Sequence, residues 1–422
     1  MSFNLYTDIA NKLWQTKSQK KSIAAPVVKI AVGSIVLGIA VMILTVSIVT
    51  GFKNEIKSKA VGFSGDVVIN AYTNNNSFEQ EPLSMQAPFL KDLQGDKEIK
   101  HIQPFATKNA IIETKDENQG IIIKGVDNYY DWTFIKQYLL QGDIPLYTDT
   151  VTSDKILISK TMAQKLNARV GDKLLTYFIS KKEVNDSAGE GFGYEKRVRK
   201  FIVSGVYQTG FADVDDNIVF AHLKQVQRLN YWASDQTGGF EVELKNYNAI
   251  DAQTEVINDM VGQNVEAKSV KQIYPTLFSW LSLLDSNAFI IITLMIVVAV
   301  INMISALLIL ILERSNTIGL LKSIGAGNGL VQKIFLYQSL RMLLKGLVIG
   351  NVAGVLICLV QQHFKFIKLP PESYYVSYVP VELHLNQILM VNLLTIGSCL
   401  VMMLLPVLII SKINPVKTLR FK

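Results

Sequence analysis

Residues 289–326 read FIIITLMIVVAVINMISALLILILERSNTIGLLKSIGA, and two features of this stretch decide the fold. From Phe289 to Leu312 no side chain is charged. A helix crossing the hydrocarbon core of a bilayer needs about 20 such residues. Charge then returns at once with Glu313 and Arg314, and a short amphipathic segment follows. Ser315 or Asn316 can cap a helix start, Ile318, Leu321 and Ile324 then share one face, and Gly325-Ala326-Gly327 ends the helix. The apolar face of so short a helix needs cover, either the bilayer surface or a partner's groove.

Three further stretches lack charge over comparable lengths, at residues 30–49, 346–361 and 385–411. The second of these reaches full length if its helix begins near Val331, with Lys333, Arg341 and Lys345 in its first turns. The first is longer than the apolar run of a cleaved signal peptide, and no A-x-A site follows it, so it reads as a retained helix. One such run could be the core of a soluble protein; four predict membrane spans.

Charge sets the orientation. Residues 1–29 hold five lysines against Asp8, residues 313–345 five bases against Glu313, and residues 412–422 four bases and no acid. Each segment therefore carries +4 in a chain whose total is +7, while residues 51–286, with 26 bases and 31 acids, carry −5. Short basic loops stay cytoplasmic, which places both termini inside and 51–286 outside. The basic balance is thus one of topology, and no basic stripe interleaved with aromatics points to nucleic acid. The two cysteines, Cys358 and Cys399, lie in apolar segments, so the outer domain must be held by its own core without disulfides.

These readings divide the chain as follows. Residues 1–24 form a cytoplasmic interfacial helix, with Phe3, Tyr6, Ile9, Ala10 and Leu13 at helical spacing, and 25–50 the first transmembrane helix. Residues 51–270 form a large α+β domain inserted between the first and second membrane helices. Within it, GIIIKGVD and KFIVSGVY read as strands, SKTMAQKLNARVGDK as a helix stopped by Gly171, and 181–196 as a protruding hairpin or flexible arm. Residues 271–312 are a stalk, kinked at Pro275, and the second membrane helix; 313–330 are the cytoplasmic helix. Residues 331–362 are the third membrane helix, 363–385 an outer loop, 386–411 the fourth, and 412–422 a cytoplasmic tail. Gly346, Gly350 and Gly354 make a small-residue face suited to close helix packing, within one subunit or between two. Asn302 and Asn351 read as hydrogen-bond partners between helices.

Enzyme chemistry finds no foothold. No G-x-x-x-x-G-K-[ST] loop is present, and His101, His222, His363 and His384 have no metal-ligand spacing. The acidic run DVDD at 213–216 lacks the glycine and distal glutamate of a calcium loop and reads as a solvated turn. The expectation is a chain with no catalytic residue and no metal, whose energy comes from a partner.

Several ordered segments resemble one family. VGSIVLGIAVMILTVSIVTGFKNEI (32–56), IIIKGVD (121–127), ILISKTMAQKLNARVGDKL (156–174), FIVSGVYQTG (201–210), VAVINMISALLILILERSNTIGLLKSIGA (298–326), LPPESYYVSYVPVEL (369–383) and INPVKTLRFK (413–422) are similar to segments of the lipoprotein-releasing (Lol) permeases. These belong to the wider FtsX-like and MacB-like class of ABC transporter permeases. The resemblance implies an extruder of lipoproteins in the bacterial inner membrane. A second permease protomer, identical or different, and two cytoplasmic ATPase subunits that bind ATP and Mg would complete it. Coupling to the ATPase would fall on Glu313, Arg314, Ile318, Gly319, Lys322 and Gly325. Acyl chains and membrane lipids would meet apolar contacts at Val49, Phe52, Phe289 and Tyr375. The arm, with Phe192 and Tyr194, would offer cargo to a periplasmic carrier, although it departs from the carrier-binding form in having no proline between Pro145 and Pro275. Two other members of the class remain open on sequence: an FtsX-like relay to a cell-wall hydrolase, and a MacB-like efflux subunit.

Overall fold

The computed structural model describes residues 24–73, 80–113, 117–148, 150–186 and 189–409, with the side chains of 180–195 outside that description. The expectations for the interfacial helix at 3–14 and for the tail lie outside the described residues. The chain divides into a helical unit (through Lys53, Trp280–Lys368 and Tyr378 onward) and a mixed unit (Asn54–Ser279 and Leu369–Ser377).

Helix α1 spans Ala24–Ser64 and contributes to both. Charges from Lys53 onward end its apolar run, yet the helical period continues through the buried Ile56, Ala60 and Phe63, so the helix runs past Thr50 to Ser64. Gly65, at φ +69°, donates its N–H to Val61 O at 2.7 Å and turns the chain directly into strand β1 (Val67–Ala71).

The mixed unit continues with β2 (Leu83–Ser84), α2 (Phe89–Gly95), β3 (Ile99–Glu113), β4 (Asn118–Val126), α3 (Thr133–Gln137), β5 (Leu139–Gly142), β6 (Lys155–Ser159) and α4 (Lys160–Lys165). There follow β7 (Lys173–Asp186), β8 (Gly189–Tyr207), α5 (Ala212–Asp215), β9 (Ile218–His222), α6 (Leu223–Leu229), β10 (Gln236–Thr237), β11 (Gly239–Leu244), α7 (Ile250–Val261), β12 (Val265–Ser269) and α8 (Val270–Ile273). Ten strands form one sheet in the order β12-β1-β11-β3-β4-β9-β6-β8-β5, with β7 pairing both β3 and β8. The β4–β9 and β6–β8 pairs are parallel and the others antiparallel, a mixed α+β sheet. Alternation decides which side chains enter the core: Ile121 and Ile123 are buried and Ile122 is exposed on the same strand. Ile112, Ile158, Phe178, Phe201 and Val219 join them under α6.

Two local expectations are corrected here. The helix expected over SKTMAQKLNARVGDK (159–173) is short: Ser159 Oγ accepts the Met162 N–H at 3.0 Å to start α4, which ends at Lys165, and Gly171 instead sits in the turn before β7. Pro275 opens α9 (Pro275–Glu313) after a break at Tyr274, and so makes no kink inside a continuous stalk.

The helical unit holds α9, α10 (Ser315–Ser323), α11 (Asn328–Phe364) and α13 (Leu385–Ile409), together with the first part of α1; the short α12 (Pro371–Tyr374) belongs to the mixed unit. Four of these helices, α1, α9, α11 and α13, are long and apolar enough to cross a membrane, and the chain is a membrane protein. The glycine face of α11 lies on α1. A methyl group at Gly346 would stand 2.7 Å from Ile35 Cγ2, at Gly350 2.9 Å from Val36 O, and at Gly354 3.2 Å from Ala40 Cα. Between α11 and α13, Asn351 and Asn392 exchange two amide hydrogen bonds of 2.9 Å each.

Candidate functional site

The segment that joins α9 to α11 is built around one buried residue. Ile318, fully buried, belongs to a cluster with Ile311, Val331 and Phe335, so α10 is fixed to both of its neighbours. Gly319 is buried beside it. The start of α10 differs from expectation: Arg314 is the N-cap, no side chain caps the helix, and Ser315 and Asn316 lie inside it. Its end is closed by two backbone bonds, Ala326 N–H to Leu321 O at 2.9 Å and Gly325 N–H to Lys322 O at 3.1 Å, with Gly325 at φ +96°. This paired closure requires a left-handed residue after the last helical one, which explains the glycine. Ile324, expected on the apolar face with Ile318, is instead 75% exposed and makes an outward apolar ridge with Leu320 (55%), one turn before it; Leu312 (68%), at the end of α9, is exposed as well. Glu313, Arg314 and Lys322 each hold an interaction within the protein. Covering such side chains, by the bilayer surface or by a partner, would contribute on the order of 1.5–3 kcal/mol each.

Of the four residues expected to meet acyl chains, three lie in the helical unit and Tyr375 in the mixed one. Phe289 stands 72% exposed on α9, Val49 is half-buried, and Phe52 meets Trp280 edge to face at 6.5 Å. Tyr375 belongs to the mixed unit, where it takes φ +59° and its ring meets Phe211 at 5.3 Å. The arm is a continuous antiparallel hairpin from Lys173 paired with Ile202 to Asp186 paired with Gly189. Phe192 lies across from Glu183 and Tyr194 from Lys181; their side chains fall outside the described residues. At its base, β3, β4, β7 and β8 expose Ile111, Ile122, Leu175, Ile179 and Val198 on one sheet face, and Lys196 Nζ lies 4.0 Å from the Tyr177 ring centroid.

Residues 30–259, a little over half of the chain, match the model of the MacB-like periplasmic core domain. The chain belongs to that family. Residues 289–415 match a second model, the FtsX-like permease C-terminal region, which contains α10 and the ridge. Among curated relatives, the chain is 24% identical to the lipoprotein-releasing system transmembrane protein LolE of Haemophilus influenzae, over 96% of this chain and 97% of that one. It is 22% identical to the lipoprotein-releasing system transmembrane protein LolC of Neisseria meningitidis, over 93% and 94%. Among solved structures, the periplasmic region of MacB from Actinobacillus actinomycetemcomitans is 14% identical, covering 51% of this chain and 94% of its own length at a TM-score of 0.33.

Within the mixed unit lies a polar cluster that the readings above did not single out. Lys59, buried on α1, donates from Nζ to Tyr375 O at 3.0 Å and lies 3.9 Å from Glu55 Oε1. Nearby, DVDD is no solvated turn. It forms α5, and Asp215 is buried with its carboxylate accepting from Thr209 Oγ1 (2.7 Å), Thr209 N–H (3.2 Å) and Gly210 N–H (2.8 Å). Burial pushes the Asp215 carboxyl upward in pKa, against the pull of those bonds and of Lys59. For Lys59 alone a hint was present: it shares a helical face with Ile56, Ala60 and Phe63, where a lysine without a partner would be costly.

Proposed function

We propose that this chain is the permease subunit of an ABC transporter that extracts lipoproteins from the outer leaflet of a bacterial inner membrane, driven by a separate ATPase. The observation that carries this reading is α10. Ile318 fixes it to α9 and α11 while Leu312, Leu320 and Ile324 face outward, so a push on the ridge passes into two membrane helices without a flexible joint. Near-full-length similarity to two lipoprotein-releasing system proteins favours lipoprotein release over the hydrolase relay and the efflux subunit.

In this reading the basic segments and both termini are cytoplasmic, and the mixed domain is periplasmic, inserted between the first and second spans. Two ATPase subunits bind ATP and Mg, and one of them seats on Glu313, Arg314, Lys322 and the ridge of this chain; this chain itself is non-catalytic. A second permease protomer completes the path. Acyl chains meet Val49, Phe52, Phe289 and Tyr375, and the arm with the apolar face at its base passes cargo to a periplasmic carrier. Purification in mild detergent tests the whole. Co-recovery of a Walker-containing ATPase with acylated lipoproteins is expected; co-recovery of a cell-wall hydrolase and no lipoprotein would replace release with relay.

A further inference from the structure

We infer that Lys59 is a positioning residue for transport: it pins the connection between α11 and α13 onto the MacB-like domain, so that this connection travels with the domain during turnover. The inference rests on the transport reading above. Lys59 and Tyr375 are 316 residues apart, so nothing local holds them together. The lysine side chain is 4% exposed, and its ammonium meets a main-chain carbonyl and, more distantly, the Glu55 carboxylate. The carbonyl belongs to a residue held at φ +59°, a conformation that side chains adopt only when their surroundings enforce it.

The facing wall is shaped to fit. Gly210, at φ +71°, lies against both sides of the contact: a β-carbon there would stand at ordinary contact distance, 3.4 Å, from Lys59 Nζ and from Ser377 Oγ. The Thr209–Gly210 turn is held in turn by the buried Asp215 carboxylate. Phe211 then packs its ring on Tyr375, and Leu369 N–H closes the connection on Ser377 O at 3.1 Å. Packing alone would be served as well by methionine, which carries no desolvation penalty. A lysine adds a directional attachment to one carbonyl of a segment that is covalently continuous with α11 and α13.

The test uses the full chain assembled with its ATPase and second permease protomer in proteoliposomes holding a triacylated lipoprotein. Basal ATP hydrolysis, melting temperature and lipoprotein released per ATP are read together. Lys59→Met is expected to keep basal hydrolysis and melting temperature but to lower release per ATP by about fivefold or more, the lower range of ordinary coupling between linked sites. Lys59→Arg should restore release. Gly210→Cys with Ser377→Cys, oxidised, should restore release in Lys59→Met, and reductant should remove the rescue in that same sample. Wild-type release per ATP in Lys59→Met overturns the inference, as does a disulfide that forms without rescue. A wild-type complex that hydrolyses ATP but releases no lipoprotein sinks the transport reading, and this inference with it.

Discussion

Gly325 and Gly327 lie two residues apart and should respond differently to alanine. Gly325 is left-handed, and its N–H and that of Ala326 close α10; Gly327 has an ordinary φ of −69°, and a methyl group added there would meet nothing within 4 Å. A left-handed L-residue costs about 1–2 kcal/mol. Gly325→Ala should therefore loosen the end of α10 and weaken ATPase binding in a pull-down titration, while Gly327→Ala should leave it unchanged; equal effects would show that the closure does not govern binding. At Asp215 the testable quantity is a slope. Burial holds its carboxyl above the ordinary value of about 3.9, so folding takes up protons here. Its contribution to stability is then greatest below the ordinary pKa and declines as pH rises through the raised one. In urea titrations of the full chain in detergent, wild type should lose stability relative to Asp215→Asn across that window and run parallel above it. A wild type that instead gains on the variant as pH rises would show that the hydrogen bonds outweigh burial.

Helix packing gives the next prediction. Alanine at Gly350 would bring its methyl group against a main-chain oxygen, Val36 O, which cannot rotate away; at Gly346 the nearest atoms are the Ile35 side chain, and at Gly354 the gap is wider. Overpacking costs about 1–3 kcal/mol, so Gly350→Ala should lower the melting temperature in detergent most, and Gly397→Ala, with open space around it, least. A reversed order would place the α1–α11 contact elsewhere. The membrane helices were legible because about twenty charge-free residues in a row, repeated four times, exceed what a soluble core uses. The glycine stop of α10 was legible because its cause is local. The extension of α1 was hidden by composition: Lys53, Glu55, Lys57 and Lys59 end the apolar run although the helical period goes on. The same limit hid Asp215, since a run of acidic and apolar neighbours cannot say which carboxylate turns inward toward donors at 209–210. Lys59 needs a partner 316 residues away, and no periodicity reaches that far.

The mixed domain is attached to its flanking helices at two adjacent strands, and this sets how force can enter it. α1 passes into β1 through Gly65 and Asp66 only, and β12, which pairs with β1 in the register Val67 to Ser269, leads through α8 to α9. The junction is stitched inside the domain. Lys124, itself paired with the buried Glu241, donates to Phe63 O at the end of α1; Val270 N–H reaches Asp66 O at 2.8 Å; and Leu244 N–H reaches Asp66 Oδ2 at 2.7 Å. A push along α1 therefore meets the sheet without an intervening flexible linker. Four Gly-Ser residues inserted between Ser64 and Gly65 should spare the sheet, whose strand pairings and buried cluster lie beyond the insertion. They should nonetheless uncouple the domain: ATP hydrolysis by the assembled complex continues near the wild-type rate while lipoprotein release per ATP falls several-fold. An equal insertion between β1 and β2 should leave both unchanged. If the junction insertion releases lipoprotein as wild type does, α1 does not drive the domain, and the mechanical part of the proposal fails even if the cargo is right.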